Sequence, residues 1–247
     1  QFKPDACFHL ASEALVESGS KEPYGTFNNN ITSALNVLEV SRSYNIQRII
    51  IASTSHVYGR ASVPYREDEP PRPSRPYETS KTCVDLIAQS YADSFNLPVL
   101  IPRFVNIYGP GDLNFSRVIP KTMQSVVSGK NPTMWGGSAK REYLYIDDAI
   151  RAYGMLGQIT DAQLEKNRIY NVGTGKPISV RDLMTKIIGM SSKELRIDKT
   201  EDGREEELLS QVVSWEKIKR AMNWTPKTNL DRGLLKTYEW YKREQGE

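Results

Sequence analysis

Tyr77 and Lys81 stand four residues apart in the stretch Tyr77-Glu78-Thr79-Ser80-Lys81. On a helix that spacing puts both side chains on one face. A free phenol, with a pKa of about 10, is a poor proton-transfer group near neutrality. A neighbouring ammonium favours the phenolate, so Lys81 is placed to tune Tyr77. Lowering a phenol by about three units takes roughly 4 kcal/mol of differential stabilisation. Pairs of this kind also occur on solvated helix faces, and the surrounding residues decide between the two readings. Upstream, Ile49-Ile50-Ile51-Ala52-Ser53-Thr54-Ser55 is an apolar run that ends in small hydroxyl residues. It reads as a buried parallel strand with the hydroxyls at its carboxyl end. Ligands of open α/β sheets bind beyond such ends. His56 follows directly. Its ring is suited to acid–base work near neutral pH, and a hydrogen-bonded structural histidine at a strand end is the other reading.

The elements that must position these groups alternate. Ala6–Leu10 reads as a strand, Thr26–Ser43 as a helix with Leu35, Leu38 and Val40 among its apolar positions, and Arg48–Ser53 as the next strand. Residues 63–76 are rich in proline and read as an irregular connection, with Arg66-Glu67-Asp68-Glu69 as solvated charges. The Tyr77–Lys81 helix then carries Val84, Ile87, Ala88, Tyr91, Ala92 and Phe95 at helical spacing. Val99–Arg103 is another short strand. This βαβα alternation argues a parallel sheet covered by helices. Beyond residue 110 the periodicity weakens. Ser179 is placed to cap a helix over Val180–Ile188, with Ile178 stapling onto Leu183. A further helix starts at Asp231, with Leu230, Leu234, Tyr238 and Tyr241 on one side.

The 247 residues carry a net charge of +3, too little for the broad basic field of a nucleic-acid binder. No long apolar span, signal segment or lipidation motif points to a membrane. Cys7 and Cys83 make neither a disulfide framework nor a metal-ligand spacing. They read as buried structural thiols, which suits the cytoplasm, and no metal site is expected.

Six segments in one order resemble the extended short-chain dehydrogenase/reductase family, and within it the nucleotide-sugar epimerases and dehydratases. They are PDACFHLA at 4–11, STSHVYG at 53–59, the Tyr77–Lys81 pair, RFVNIYGPGD at 103–112, KREYLYIDD at 140–148 and NVGTG at 171–175. The resemblance implies an α/β fold: a Rossmann-like doubly wound parallel sheet with a smaller α/β substrate-binding lobe. It assigns residues 1–107 to the dinucleotide-binding part, with contributions from about 144–176, and residues 108–143 and 177–247 to the substrate lobe. The family's opening strand and GxxGxxG turn, which cradle the cofactor pyrophosphate, have no counterpart in these residues. Together with Gln1 at the start, this leads to the expectation that the N-terminal strands belong to a longer gene product. Residues 1–247 alone are then expected not to bind NAD tightly, and the edge of the Ala6–Leu10 strand to need cover.

The implied chemistry is oxidation of a sugar hydroxyl at C4 by NAD (or NADP), then epimerisation or 4,6-dehydration. By resemblance Tyr77 is the base, Lys81 holds the cofactor ribose and lowers the phenol pKa, and Thr54 hydrogen-bonds the reacting oxygen. His56 joins them as a candidate catalytic group. It and Ser55 replace the carboxylate that the dehydratases carry just after the threonine, whereas residues 111–120 resemble CDP-glucose 4,6-dehydratases. His9, Leu10, Ala11 and Ser53 are the expected cofactor contacts, although a core histidine is the safer reading of the His9 side chain, because backbone atoms usually make that contact. Ser55, Asn106, Trp135, Arg141 and Arg204 are the expected substrate contacts. Trp135 also reads as a core residue, and Arg204 as a partner for Glu205, Glu206 and Glu207. The resemblance implies a nucleotide-sugar substrate and a homodimer through the helices at Thr26–Ser43 and Thr79–Phe95. A nucleotide-sugar 4-reductase using NADPH and a non-catalytic sugar-nucleotide-binding relative are the rival readings.

Overall fold

The structure is a computed structural model that describes residues 4–134, 136–200 and 210–244. In chain order the elements are β1 (Ala6–His9), α1 (Val16–Lys21), α2 (Pro23–Ser43), β2 (Arg48–Ile51), β3 (Ser53–Thr54), a 3₁₀ turn (Ser55–Tyr58), α3 (Pro76–Phe95) and β4 (Val99–Phe104). There follow β5 (Asn106–Tyr108), α4 (Val118–Val127), β6 (Thr133–Met134), β7 (Lys140–Arg141), β8 (Tyr143–Tyr145), α5 (Ile146–Gly157), α6 (Asp161–Lys166) and β9 (Ile169–Val172). The last are β10 (Ile178–Ser179), α7 (Val180–Ile188), β11 (Asp198–Lys199), β12 (Ser210–Gln211), α8 (Glu216–Met222) and α9 (Leu230–Glu244).

The chain divides into two compact units: Gln1–Val105 with Ile150–Gly173 and Val213–Thr225, and Asn106–Ala149 with Thr174–Val212 and Pro226–Glu247. In the first, β1 pairs with β2 and β2 with β4, while β3 continues the line of β2 along β4 and β9 pairs with the other side of β4, all parallel. Alternation decides the faces. Ile49, Ile51, Val99 and Ile101 bury against Ala34 and Leu38 of α2 and Val84 and Ala88 of α3. Phe8 and Phe104 instead meet Tyr153 of α5, with ring centroids 6.3 and 4.7 Å apart. Helices on both faces make the sheet doubly wound. α3 starts at Pro76, whose fixed φ suits a first helical position, and the Glu78 carboxylate reaches back to the backbone N–H groups of Ser74 and Arg75.

In the second unit, β5 pairs with β8, β11 with β6, and β7 lies between β10 and β12. Its core gathers Met123 and Val126 of α4, Leu183 and Ile187 of α7, and Leu234, Tyr238 and Tyr241 of α9. The Ser179 hydroxyl caps α7 by accepting from the Asp182 N–H at 3.0 Å.

Three expectations are corrected. The strand read as Arg48–Ser53 is interrupted at Ala52, because that carbonyl is claimed by a side chain of α3 instead of a strand neighbour. Residues 66–69 are not all solvated: Glu67 is half-buried and its carboxylate accepts the Asn171 N–H at 2.9 Å. Burial pushes the Glu67 carboxyl up, against the lowering effect of that bond. Residues 213–225 pack with the first unit, not the second. There α8 lies on β9, Val213 bridges to Tyr65, and Trp224 is fully buried. α8 is seven residues long, too short for its periodicity to announce which core it joins.

Candidate active site

The site is built at the broken strand. Ser53 and Thr54 end the β2–β3 line, and the 3₁₀ turn begins at Ser55. Thr54 caps that turn by accepting the His56 N–H at 3.3 Å. Its own hydroxyl proton has no acceptor among the described residues. The His56 ring turns its edge to the Tyr77 ring, with centroids 5.9 Å apart and planes at 73°. Thr54, His56 and Tyr77 are therefore neighbours, as the strand-end reading expects. Ser55 is buried beside them.

Tyr77 is the second residue of α3 and Lys81 follows one turn later; they are 8% and 6% exposed. A Cβ on Gly19 of α1 would stand 3.1 Å from the Tyr77 backbone nitrogen, so the absence of a side chain there lets α1 close on the start of α3. The Lys81 ammonium donates to the Ala52 carbonyl at 2.6 Å. Among the described residues it has no second acceptor, although an ammonium carries three donors. Burial pushes the Lys81 amine down to about 8, against the opposing pull of the Asp85 carboxylate. His9, at the carboxyl end of β1, is held down by burial and then by the Lys81 charge. Leu10 and Ala11 follow it and are exposed.

Residues that sequence reasoning missed complete the arrangement. Glu78 is buried and lies 3.7 Å from His56 Nδ1, longer than a direct hydrogen bond but within ion-pair range. Burial would raise the Glu78 carboxyl; His56 and the N–H groups of Ser74 and Arg75 together outweigh it and hold it low. Asp85 accepts from Ser53 and, in a fork, from Arg103. Asn30 of α2 clamps the N–H and carbonyl of Glu13 and donates to Ser80, whose hydroxyl donates to the Tyr77 carbonyl. Asp85 had a signal, since it stands one turn past Lys81 on the same face; the others depend on contacts between distant segments.

Of the remaining expected residues, Asn106 and Arg141 belong to the second unit. Asn106 opens β5 and donates to the Glu142 carbonyl at 3.1 Å. Arg141 is buried in β7, with Nη1 donating to the Lys140 carbonyl at 2.9 Å. Both lie next to Glu142, whose buried carboxylate ties down the N–H groups of Thr174 and Gly175. Trp135 and Arg204 fall outside the described residues. No cluster of metal-ligating side chains occurs among the described residues, and no helix there is long and apolar enough to cross a membrane.

A parallel sheet that presents a tyrosine–lysine helix beside a threonine at a strand end defines a site for oxidising and reducing an alcohol. The chain belongs to the NAD dependent epimerase/dehydratase family, whose model matches residues 1–173. It is 29% identical to a UDP-glucuronate 4-epimerase of Thermodesulfobacterium geofontis (strain OPF15) over 251 residues, covering 96% of this chain and 72% of that protein. Over 202 residues it is 33% identical to a dTDP-D-glucose 4,6-dehydratase of Dictyostelium discoideum, covering 76% of this chain and 45% of that one. The structure superposes on UDP-glucose 4-epimerase of Thermotoga maritima, solved with UDP-glucose, at a TM-score of 0.86 and 28% identity, covering 98% and 78% of the two chains.

The residues present fit part of the NAD that this family uses. A buried ammonium with two undirected N–H donors suits the paired hydroxyls of a ribose, and Lys81 provides it. The exposed backbone after β1 leaves Leu10 and Ala11 open to a ligand. The pyrophosphate cradle has no counterpart in these residues, so the fit concerns the ribose and nicotinamide end alone.

Proposed function

We propose that the protein oxidises the C4 hydroxyl of a nucleotide-linked hexose to a ketone and then either returns hydride to the opposite face of C4, giving the C4 epimer, or loses water across C5–C6 and returns hydride to C6, giving a 4-keto-6-deoxy sugar. The observation that carries this reading is the meeting of Thr54, His56, Tyr77 and Lys81 at one strand end. NAD, when bound, would take up the C4 hydrogen with its electron pair and later give it back. Tyr77 takes the hydroxyl proton as that hydrogen leaves and, on the epimerisation path, returns it when the ketone is reduced. The Lys81 ammonium stabilises the phenolate and donates to the cofactor ribose. The undirected Thr54 hydroxyl donates to the reacting oxygen, where charge grows as the proton departs. His56, with Glu78 beside it, is the group within reach of a second proton on the sugar. Asn106 binds the sugar diphosphate, Arg141 and Arg204 grip its pyrophosphate, and Trp135 stacks on the nucleotide base.

The active species is a homodimer of the cytoplasm. Free, half-buried Cys7 and Cys83 suit a reducing compartment. The exposed apolar residues Val40 of α2, Tyr44 just after its end, and Leu86 and Phe95 of α3 provide the pairing surface. The test is product analysis. The full-length protein with NAD is offered UDP- and dTDP-glucose, and the sugars are read by NMR. A C4 epimer or a 4-keto-6-deoxy sugar is expected, and recovery of unchanged substrate in every case would overturn the reading.

A further inference from the structure

Asp85 is fully buried on α3, one turn past Lys81. Its carboxylate accepts four hydrogen bonds: from the Ser53 hydroxyl and the Gln89 amide, each at 2.7 Å, and from Nε and Nη2 of Arg103, each at 2.9 Å. Ser53 is thereby anchored between two groups of the site. The residue before it, Ala52, presents the carbonyl that takes the Lys81 ammonium. The residue after it, Thr54, carries the undirected hydroxyl. Ser53, expected as a cofactor contact, instead commits its hydroxyl proton to Asp85.

Resting on the reaction proposed above, we infer that Asp85 is a positioning residue: through Ser53 it fixes the strand break that carries Ala52 and Thr54, and through its charge it keeps Lys81 an ammonium. A fully buried ion pair is weak evidence of stabilisation, because desolvation opposes the attraction and an apolar pair of equal volume often serves as well. This pair is cross-linked to the one strand residue that separates the lysine's acceptor from Thr54. Shape alone does not call for that link. Lys81 meets its acceptor Ala52 and feels the Asp85 carboxylate of its own helix; its charge reaches His9 of β1, and Arg103 of β4 forks onto the carboxylate. Of these Asp85 favours the charged lysine, against the burial that disfavours it.

Two variants of the full-length protein test the inference. In Asp85→Asn the side chain keeps its size and loses its charge. Titration of the Lys81 ammonium, followed by ¹⁵N NMR and assigned with Lys81→Met, should show a midpoint about one pH unit lower than in the wild type. An unmoved midpoint would overturn the electrostatic half. Ser53→Ala removes the link and leaves the Asp85–Arg103 fork. It should lower kcat by about tenfold with KM unchanged, and Ser53→Thr, which restores a hydroxyl, should recover most of the loss. An unchanged kcat in Ser53→Ala, or no recovery in Ser53→Thr, would overturn the positional half. Should Asp85→Asn fail to fold, the two Ser53 variants decide. The NMR titration needs no turnover, so its failure is distinct from a failure of the proposed reaction.

Discussion

Lys81 shows a conflict between stability and chemistry at the scale of one residue. Burial holds its amine down to about 8, against an ordinary value of about 10.4 for an unfolded chain. Between those two values the unfolded state holds a proton that the folded state has released, so stability rises with pH through that window. Below pH 8 the folded protein carries the whole cost of a buried ammonium. Lys81→Met should therefore abolish turnover yet raise the unfolding free energy at pH 7 by about 2 kcal/mol, allowing for the Ala52 carbonyl left without its donor. The gain should shrink as pH climbs from about 8 to about 10.4. Urea denaturation at several pH values checks this, and a variant no more stable than the wild type at pH 7 contradicts it. The placing of Tyr77 and Lys81 on one helix turn and of Thr54 at a strand end was legible because these are local objects; the roles proposed for them came from the family resemblance. Glu78 was not, since nothing in its neighbourhood says that a histidine 22 positions earlier folds back onto it.

At the scale of elements, the strands and long helices were legible wherever one period ran unbroken. α2, α3, α7 and α9 follow apolar stripes, and their ends moved by a few residues where proline sets a start: α2 begins at Pro23 instead of Thr26. Short elements and connections were not legible, since α8 and the segment around Glu67 are placed by distant partners. The turn after β3 is a constrained connection. Gly59 has φ +52°, and a Cβ there would overlap the Arg72 carbonyl oxygen. The Arg72 N–H is itself bonded to the Val57 carbonyl at 3.0 Å, so neither strand of the connection is free to retreat. Gly59→Ala should cost about 2–4 kcal/mol and lower Tm correspondingly. A thermal melt indistinguishable from the wild type would show that the backbone yields there.

For the whole molecule, the doubly wound sheet was legible from the alternation of elements, and the course of residues 213–225 back into the first unit was not. The proposed dimer belongs to this scale. A two-fold interface through α2 and α3 is self-complementary, so Leu86→Glu with Phe95→Glu should set like charges across it and separate the subunits. Light scattering should then show a dimer for the wild type and a monomer for the double variant; a wild-type monomer at tens of micromolar contradicts the proposal. The central claim is that Tyr77 moves the proton of a sugar hydroxyl while Lys81 and Thr54 hold the charge. It is tested most directly by following a nucleotide-linked glucose deuterated at C4, with NAD and the full-length protein, by NMR. The account predicts turnover that retains the label within the product and a Tyr77→Phe variant that stays folded but is roughly 10²–10⁴-fold slower. Equal rates for the variant and the wild type would contradict it.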